Sequence, residues 1–268
     1  MTPPVALTIA ASDSGGGAGV QADLKTFAAL GVFGAAAITA LTAQNTAAVC
    51  GRWPVDAALV AAQVDAVLAD LPVAAVKTGL LATVDTVGVV ADAAASGRLP
   101  NLVVDPVMVA STGDRLLDAD AERCYLERLV PLAAVVTPNR REAAALLGGA
   151  VTTLDEQRDA AAALAAVGPA AVVVTGGDGD PGGDAVDVVV GVDGLTELRC
   201  PRLATVNTHG SGCSFASAVA AGLASGRPVA DALRAAKAFV YDAIRAGAGW
   251  HLGSGHGPLN HFRWEETP

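Results

Sequence analysis

Short apolar runs alternate with longer helical stretches along almost the whole chain, and that rhythm leaves few folds open. Residues 5–11, 32–41, 73–76, 102–104, 132–136 and 171–174 are apolar nearly without interruption, as strands buried on both faces must be. Between them, residues 20–30, 56–70, 83–96, 119–129, 140–147 and 154–167 carry helical periodicity. Glycines stand where those helices should stop: Gly31, Gly97, Gly148 with Gly149, and Gly168 before Pro169. Residues 185–190 and 195–198 flank Asp193-Gly194 as an edge hairpin would. Two more helices are predicted over 213–225 and 229–246. The expectation is a three-layer α/β/α fold with a central, mostly parallel sheet. Without an internal repeat, linker or charge block, residues 1–268 are expected to form one domain.

The composition narrows the function. Hydrophobic residues make up 52% and charged residues 16%, which excludes a disordered chain. A net charge of −10 argues against nucleic acid and against an anionic membrane surface as partners. Cys50, Cys124, Cys200 and Cys213 form no C-x-x-C pair, so neither zinc nor a disulfide framework is expected, and a reduced cytoplasmic setting is the default. The start of the chain lacks the basic region of a secretory signal. Segment 26–51 is uncharged, but Gly31, Gly34, Gln44 and Asn45 break it, which favours a buried strand with a functional end over a membrane span.

In open α/β sheets, ligands gather at the carboxyl ends of the strands, and this chain puts its unusual polar residues there. The sharpest segment is Asn207-Thr208-His209-Gly210-Ser211-Gly212-Cys213, which feeds an apolar helix. Gly210 and Gly212 let several N–H groups converge on one point, and a helix N-terminus favours an anion there. Cys213 stands where a phosphoryl acceptor would meet that anion, while a plain glycine turn before a core helix is the competing reading. The glycines at 15–19 match neither a dinucleotide fingerprint nor a P-loop. Asp23 beyond them either bonds a polar small molecule or belongs to a helix-capping loop. Asp105, Asn139 and Glu142 suit Mg²⁺ held partly through water and phosphate, and Asn139 with Glu142 equally suits a helix cap. Lysine is rare, at Lys25, Lys77 and Lys237 only. Lys77, at a strand end, is the candidate for a phosphate, whereas Lys25 and Lys237 read as surface charges with buried stems. His251, His256 and His261 are spaced five apart, which suits a tail folding over the protein better than a metal site.

Together these motifs resemble the hydroxymethylpyrimidine and hydroxymethylpyrimidine-phosphate kinases of thiamine biosynthesis, within the ribokinase-like superfamily. The resemblance runs through Gln44-Asn45-Thr46, Lys77-Thr78-Gly79-Leu80-Leu81, Asp105-Pro106-Val107-Met108, Thr137-Pro138-Asn139 with Glu142, the 207–213 segment and the tail 255–262. It implies ATP as co-substrate, Mg²⁺, and phosphorylation of the pyrimidine alcohol and then of its monophosphate. Asp23 and Gln44 would hydrogen-bond the aminopyrimidine, Leu80 and Val107 would flank its ring, and Ala11 would add a methyl group where glycine is common. Gly210, Ser211, Gly212 and Cys213 would form the anion hole, with the Cys213 thiol, its pKa lowered by the helix N-terminus, as base for the hydroxyl. Asn139 and Glu142 would organise the nucleotide phosphates and the metal, with Asp105 beside them. Thr175 and Asp178 replace the lysine and histidine often found around Gly176-Gly177, so a Thr175 hydroxyl takes the place of a charge. A homodimer is implied, and pyridoxal kinase or a non-catalytic pyrimidine- or nucleotide-binding protein of the same fold are the alternatives.

Overall fold

The computed structural model describes residues 2–108, 117, 119–177, 179 and 183–262. Asp178 lies outside them. Among the described residues, the strands form a nine-stranded sheet. Its strands are β1 (Val5–Asp13), β2 (Phe33–Gln44), β3 (Val49–Pro54), β4 (Val73–Thr78), β5 (Val103–Val104), β6 (Val135–Val136), β7 (Val172–Val174), β8 (Ala185–Gly191) and β9 (Gly194–Cys200). They lie in the order β3-β2-β1-β4-β5-β6-β7-β8-β9. Pairing is parallel from β2 through β7, and antiparallel for β2–β3, β7–β8 and β8–β9.

The helices are α1 (Gly19–Ala29), α2 (Ala57–Asp70), α3 (Val84–Ala95), α4 (Ala119–Cys124), α5 (Arg140–Leu147), α6 (Leu154–Ala165), α7 (Ser211–Ala224) and α8 (Val229–Gly247). Strand side chains alternate between faces, which divides the core into two layers. Leu7, Ile9, Val76, Val104 and Val136 pack with α2 to α6, while Ala6, Ala75, Val103 and Val135 pack with α1, α7 and α8. The expected layers and parallel sheet are therefore present.

Three local expectations change. Strand β3 was not expected, because Val49–Pro54 is short, mostly exposed and broken by Gly51. Its pairing with β2 supplies the partner its own sequence does not advertise. The apolar run 132–136 keeps only two strand residues, since Pro131 sits in a 3₁₀ turn, Val130–Leu132. The predicted helix 119–129 is α-helical only as far as Cys124, and Tyr125–Leu129 continues with π geometry.

The tail folds back as expected. The Gly255 N–H donates to Thr46 Oγ1 at 3.2 Å, and the His209 N–H donates to the Gly257 carbonyl at 3.0 Å. His261 ends buried, with its Nε2 2.8 Å from Ser214 Oγ on α7. Burial foremost, then the nearby Lys25 charge, pushes its pKa down from 6.5 to about 4. A depressed folded pKa means that the stability His261 contributes is complete above pH 6.5 and is lost as the pH falls toward 4. Unfolding free energy is expected to drop by on the order of 3 kcal/mol across that window. Urea titrations between pH 4 and 7 on the protein and on His261→Gln test this, the variant giving the flatter curve.

Candidate active site

The strand order reverses between β1 and β4, so their carboxyl ends open a crevice. A cavity of about 530 Å³ lies there. Helix α7 supplies its phosphate-side wall. Gly210 is the N-cap in the left-handed region, φ +83°, where a side chain would be strained. A Cβ on Gly210 would also lie 1.9 Å from the Gly17 carbonyl oxygen, so this turn and the 15–19 loop stack backbone to backbone. Ser211, Gly212 and Cys213 form the first turn. The Ser211 N–H donates to the Thr208 carbonyl at 3.1 Å. The Gly212 and Cys213 amides are first-turn donors that α7 itself cannot satisfy, and both residues line the cavity.

Beneath that turn lies a buried charged cluster. Lys77 is fully buried at the end of β4, with Nζ 3.0 Å from Asp23 Oδ1 and 3.4 Å from Asp105 Oδ2. Burial pulls the ammonium pKa down, but Asp23, Cys213 and Asp105 outweigh it and hold the Lys77 pKa well above its ordinary value. Burial raises the Asp105 pKa, Lys77 opposes the rise, and the net shift is upward. Asp105 Oδ2 accepts no hydrogen bond, although the Lys77 charge stands beside it.

Cys213 behaves opposite to expectation. Burial pushes its thiol up to about 12; Lys77 pulls it down, but Asp105 and Asp23 add to the rise. The helix N-terminus does not overcome burial and the two carboxylates together.

Asp23 also stands elsewhere than expected. It is fully buried on α1 and takes hydrogen bonds from Thr8 Oγ1 at 2.6 Å, Ser217 Oγ at 2.7 Å and Lys77 Nζ. It sits behind Lys77 and does not line the cavity, so contact with a bound ring is replaced by support of the lysine. Lys237 is likewise no surface charge: its side chain is 14% exposed and its Nζ is 2.8 Å from Asp187 Oδ2. Lys25, half-buried, donates to the Gly16 carbonyl at 2.7 Å.

The other expected residues share the cavity. Ala11, Gln44, Leu80 and Val107 line one end. Asn139, Glu142, Thr175 and Gly177 line the other, with Lys77 and Asp105 between the two ends and the 210–213 turn alongside. Asn139 and Glu142 do form a capping box at α5: Asn139 Oδ1 accepts from the Glu142 N–H, and Glu142 Oε2 accepts from the Asn139 N–H, each at 2.9 Å. The cap and a place at the cavity wall coexist. Beside Thr175, Arg202 donates to the Gly177 carbonyl at 2.6 Å, and Asp187 Oδ1 accepts from the Gly176 N–H at 3.0 Å.

Sequence reasoning gave Asp13 and His209 no role, yet both line the cavity, with Asp13 Oδ2 3.0 Å from His209 Nε2. The one available signal was their placement in the two glycine-rich loops. Among the described residues no cluster of three His, Cys, Asp or Glu side chains could hold a metal by itself. The buried, unbonded oxygen of Asp105 and the Glu142 carboxylate do fit an ion that takes one or two protein oxygens and completes its shell with phosphate.

Among the described residues no helix is long and apolar enough to cross a membrane. The model of the family described as phosphomethylpyrimidine kinase matches residues 13–260. A hydroxymethylpyrimidine/phosphomethylpyrimidine kinase of Rhizobium meliloti (strain 1021) is 49% identical over 262 residues, covering 97% of this chain and 98% of that protein. The crystal structure of an ADP complex of Bacillus subtilis pyridoxal kinase superimposes with a TM-score of 0.88 at 38% identity, over 97% of this chain and 98% of that one. Phosphomethylpyrimidine kinase from Clostridium difficile 630 gives 0.79 at 35% identity, over 90% and 99%. The fold is thus the ribokinase-like one that the motifs implied.

Proposed function

The chain belongs to the phosphomethylpyrimidine kinase family, and from that premise we propose that it transfers the γ-phosphoryl group of ATP to 4-amino-5-hydroxymethyl-2-methylpyrimidine and then to the resulting monophosphate, in thiamine biosynthesis. The observation that carries this reading is a single cavity lined together by the α7 N-terminus, Lys77 and the side chains of Gln44, Leu80 and Val107. Gln44 and the apolar side chains Ala11, Leu80 and Val107 hold the ring. The first-turn amides of α7 receive the migrating PO₃ group, and Lys77 offsets its charge. Asn139, Thr175 and Gly177 take the nucleotide phosphates, with Arg202 and Lys237 as nearby cations. Asp105 and Glu142 would hold Mg²⁺ together with the nucleotide phosphates, where the ion would supply charge neutralisation.

A thiol near pKa 12 is protonated at neutral pH. Cys213 then positions the hydroxymethyl group rather than deprotonating it beforehand. A loose transition state needs little base assistance, because the hydroxyl proton leaves late. ADP release should occur with both pyrimidines, and pyridoxal should give a kcat/KM at least about tenfold lower. Absence of turnover with either pyrimidine would overturn the reading. Pyridoxal phosphorylation is the second reading, favoured by the likeness to the Bacillus subtilis pyridoxal kinase. Cys213→Ala is expected to slow the first phosphorylation more than the second. No inflection belonging to the thiol should appear in the wild-type pH–rate profile from pH 6 to 9, and one that vanishes in the variant would restore the thiol as base.

The protein is proposed to work as a single-domain subunit of a cytoplasmic homodimer. Its four cysteines are all unpaired, as a reducing compartment requires. The β2–β3 edge supports the dimer: Leu41 and Trp53, cross-strand partners, are 52% and 59% exposed. Light scattering should give about twice the 26.5 kDa chain mass, and Trp53→Arg should reduce it to one.

A further inference from the structure

Asp13 ends β1, and His209 precedes the α7 turn, 196 residues later. Asp13 Oδ1 accepts from the Gly15 N–H at 2.8 Å, and Oδ2 accepts from the N–H groups of Gly17 at 3.1 Å and Ala18 at 2.8 Å. A carboxylate that takes three amide hydrogens and faces an imidazole nitrogen at 3.0 Å acts only as an acceptor. His209 Nε2 must therefore carry a hydrogen. That nitrogen also lies 3.4 Å from the Gln44 side-chain amide. Once Nε2 donates to Asp13, it has no lone pair with which to accept from a Gln44 NH₂ group.

The other side of Gln44 makes the same demand. Its amide is 3.2 Å from Thr42 Oγ1, whose single hydroxyl hydrogen has a closer acceptor, the Ser12 carbonyl at 3.0 Å. A 180° turn of the amide removes both conflicts, because its oxygen and nitrogen occupy equivalent places. The oxygen then shares the single Nε2 hydrogen of His209 with the nearer Asp13 carboxylate. The NH₂ group donates one hydrogen to Thr42 Oγ1 and keeps the other for a ligand.

We infer that Asp13 is a positioning residue which, through His209, presents the Gln44 amide to the cavity as a hydrogen-bond donor, so that this end selects a heteroaromatic ring nitrogen that accepts. The inference rests on Gln44 being a ring contact, as proposed above.

Long-range ¹H–¹⁵N spectra of the full-length, uniformly labelled protein read the hydrogen on His209 directly, with the signal assigned by its loss in His209→Asn. A hydrogen on Nε2 is expected; a bare Nε2 overturns the inference without touching the kinase reading. Gln44→Glu keeps an acceptor toward His209 but cannot donate to the ring. Its KM for hydroxymethylpyrimidine should rise at least about tenfold, with the KM for ATP within about twofold. An unchanged or lower pyrimidine KM overturns the inference. His209→Asn leaves the carboxylate on its three loop amides, and should raise the pyrimidine KM by about tenfold with an unchanged unfolding midpoint. Gln44→Ala tests the premise separately: an unchanged pyrimidine KM there removes Gln44 from the ring, and the inference with it.

Discussion

Lys77→Met is expected to destabilise the protein by about 3–5 kcal/mol, the usual cost of stripping one partner from a buried ion pair. Lys77 is the cation shared by Asp23 and Asp105, and all three side chains are almost wholly shielded from water. Methionine replaces the stem but leaves two carboxylates facing each other in a dry interior. Protonating them relieves the repulsion at a further cost at neutral pH. Urea denaturation at pH 7 measures the loss, and a value below 1 kcal/mol would contradict the ion-pair account. Adding Asp23→Asn to Lys77→Met should recover part of the stability, because the neutral amide accepts from one of the Thr8 and Ser217 hydroxyls through its oxygen and donates to the other through its NH₂ group. Phosphoryl transfer should not recover, since the positive charge beneath the α7 turn stays missing.

Gly210→Ala should lower kcat by about 10²–10³, the range typical of losing an anion-hole donor. Two penalties act at once. The left-handed backbone costs a non-glycine residue roughly 1–2 kcal/mol, and the new methyl group meets the Gly17 carbonyl at 1.9 Å. The turn must then rotate or withdraw, and the first-turn amides no longer point where the phosphoryl group passes. Gly226 separates the two causes. It has a similar φ of +76° beyond the end of α7, but nothing stands within 4 Å of its Cβ position. Gly226→Ala should therefore cost stability alone and leave kcat within about twofold. Steady-state kinetics on both variants tests this, and equal kinetic losses would mean that the stacking of the two loops is irrelevant to transfer.

The reach of the sequence follows the range of the interactions. Strands β1 and β4 are legible because both faces are buried, which forces uninterrupted apolar runs. The hairpin β8–β9 is legible because Gly194, at φ +82°, occupies a turn position few other residues tolerate. The phosphate-side loop could be read for the same reason at Gly210. Strand β3 could not, since an exposed edge strand owes its existence to its neighbour. The carboxylates were hardest to place. Nothing around Asp23 tells that Lys77 and Ser217 close over it, and nothing near Asp13 names His209 as its partner. The expected lowering of the Cys213 pKa failed similarly: the helix start is local and visible, but the burial that raises it, and the two carboxylates that arrive from α1 and from the end of β5, are not.

The backbone contact between Gly17 and Gly210 also governs how such an enzyme could be retargeted. Neither Gly17 nor Gly210 has room to acquire bulk on its own, so a library that randomises either of them will consist mostly of inactive clones. Leu80 and Val107 carry side chains at the cavity wall outside that contact, and a search for altered ring preference should begin there.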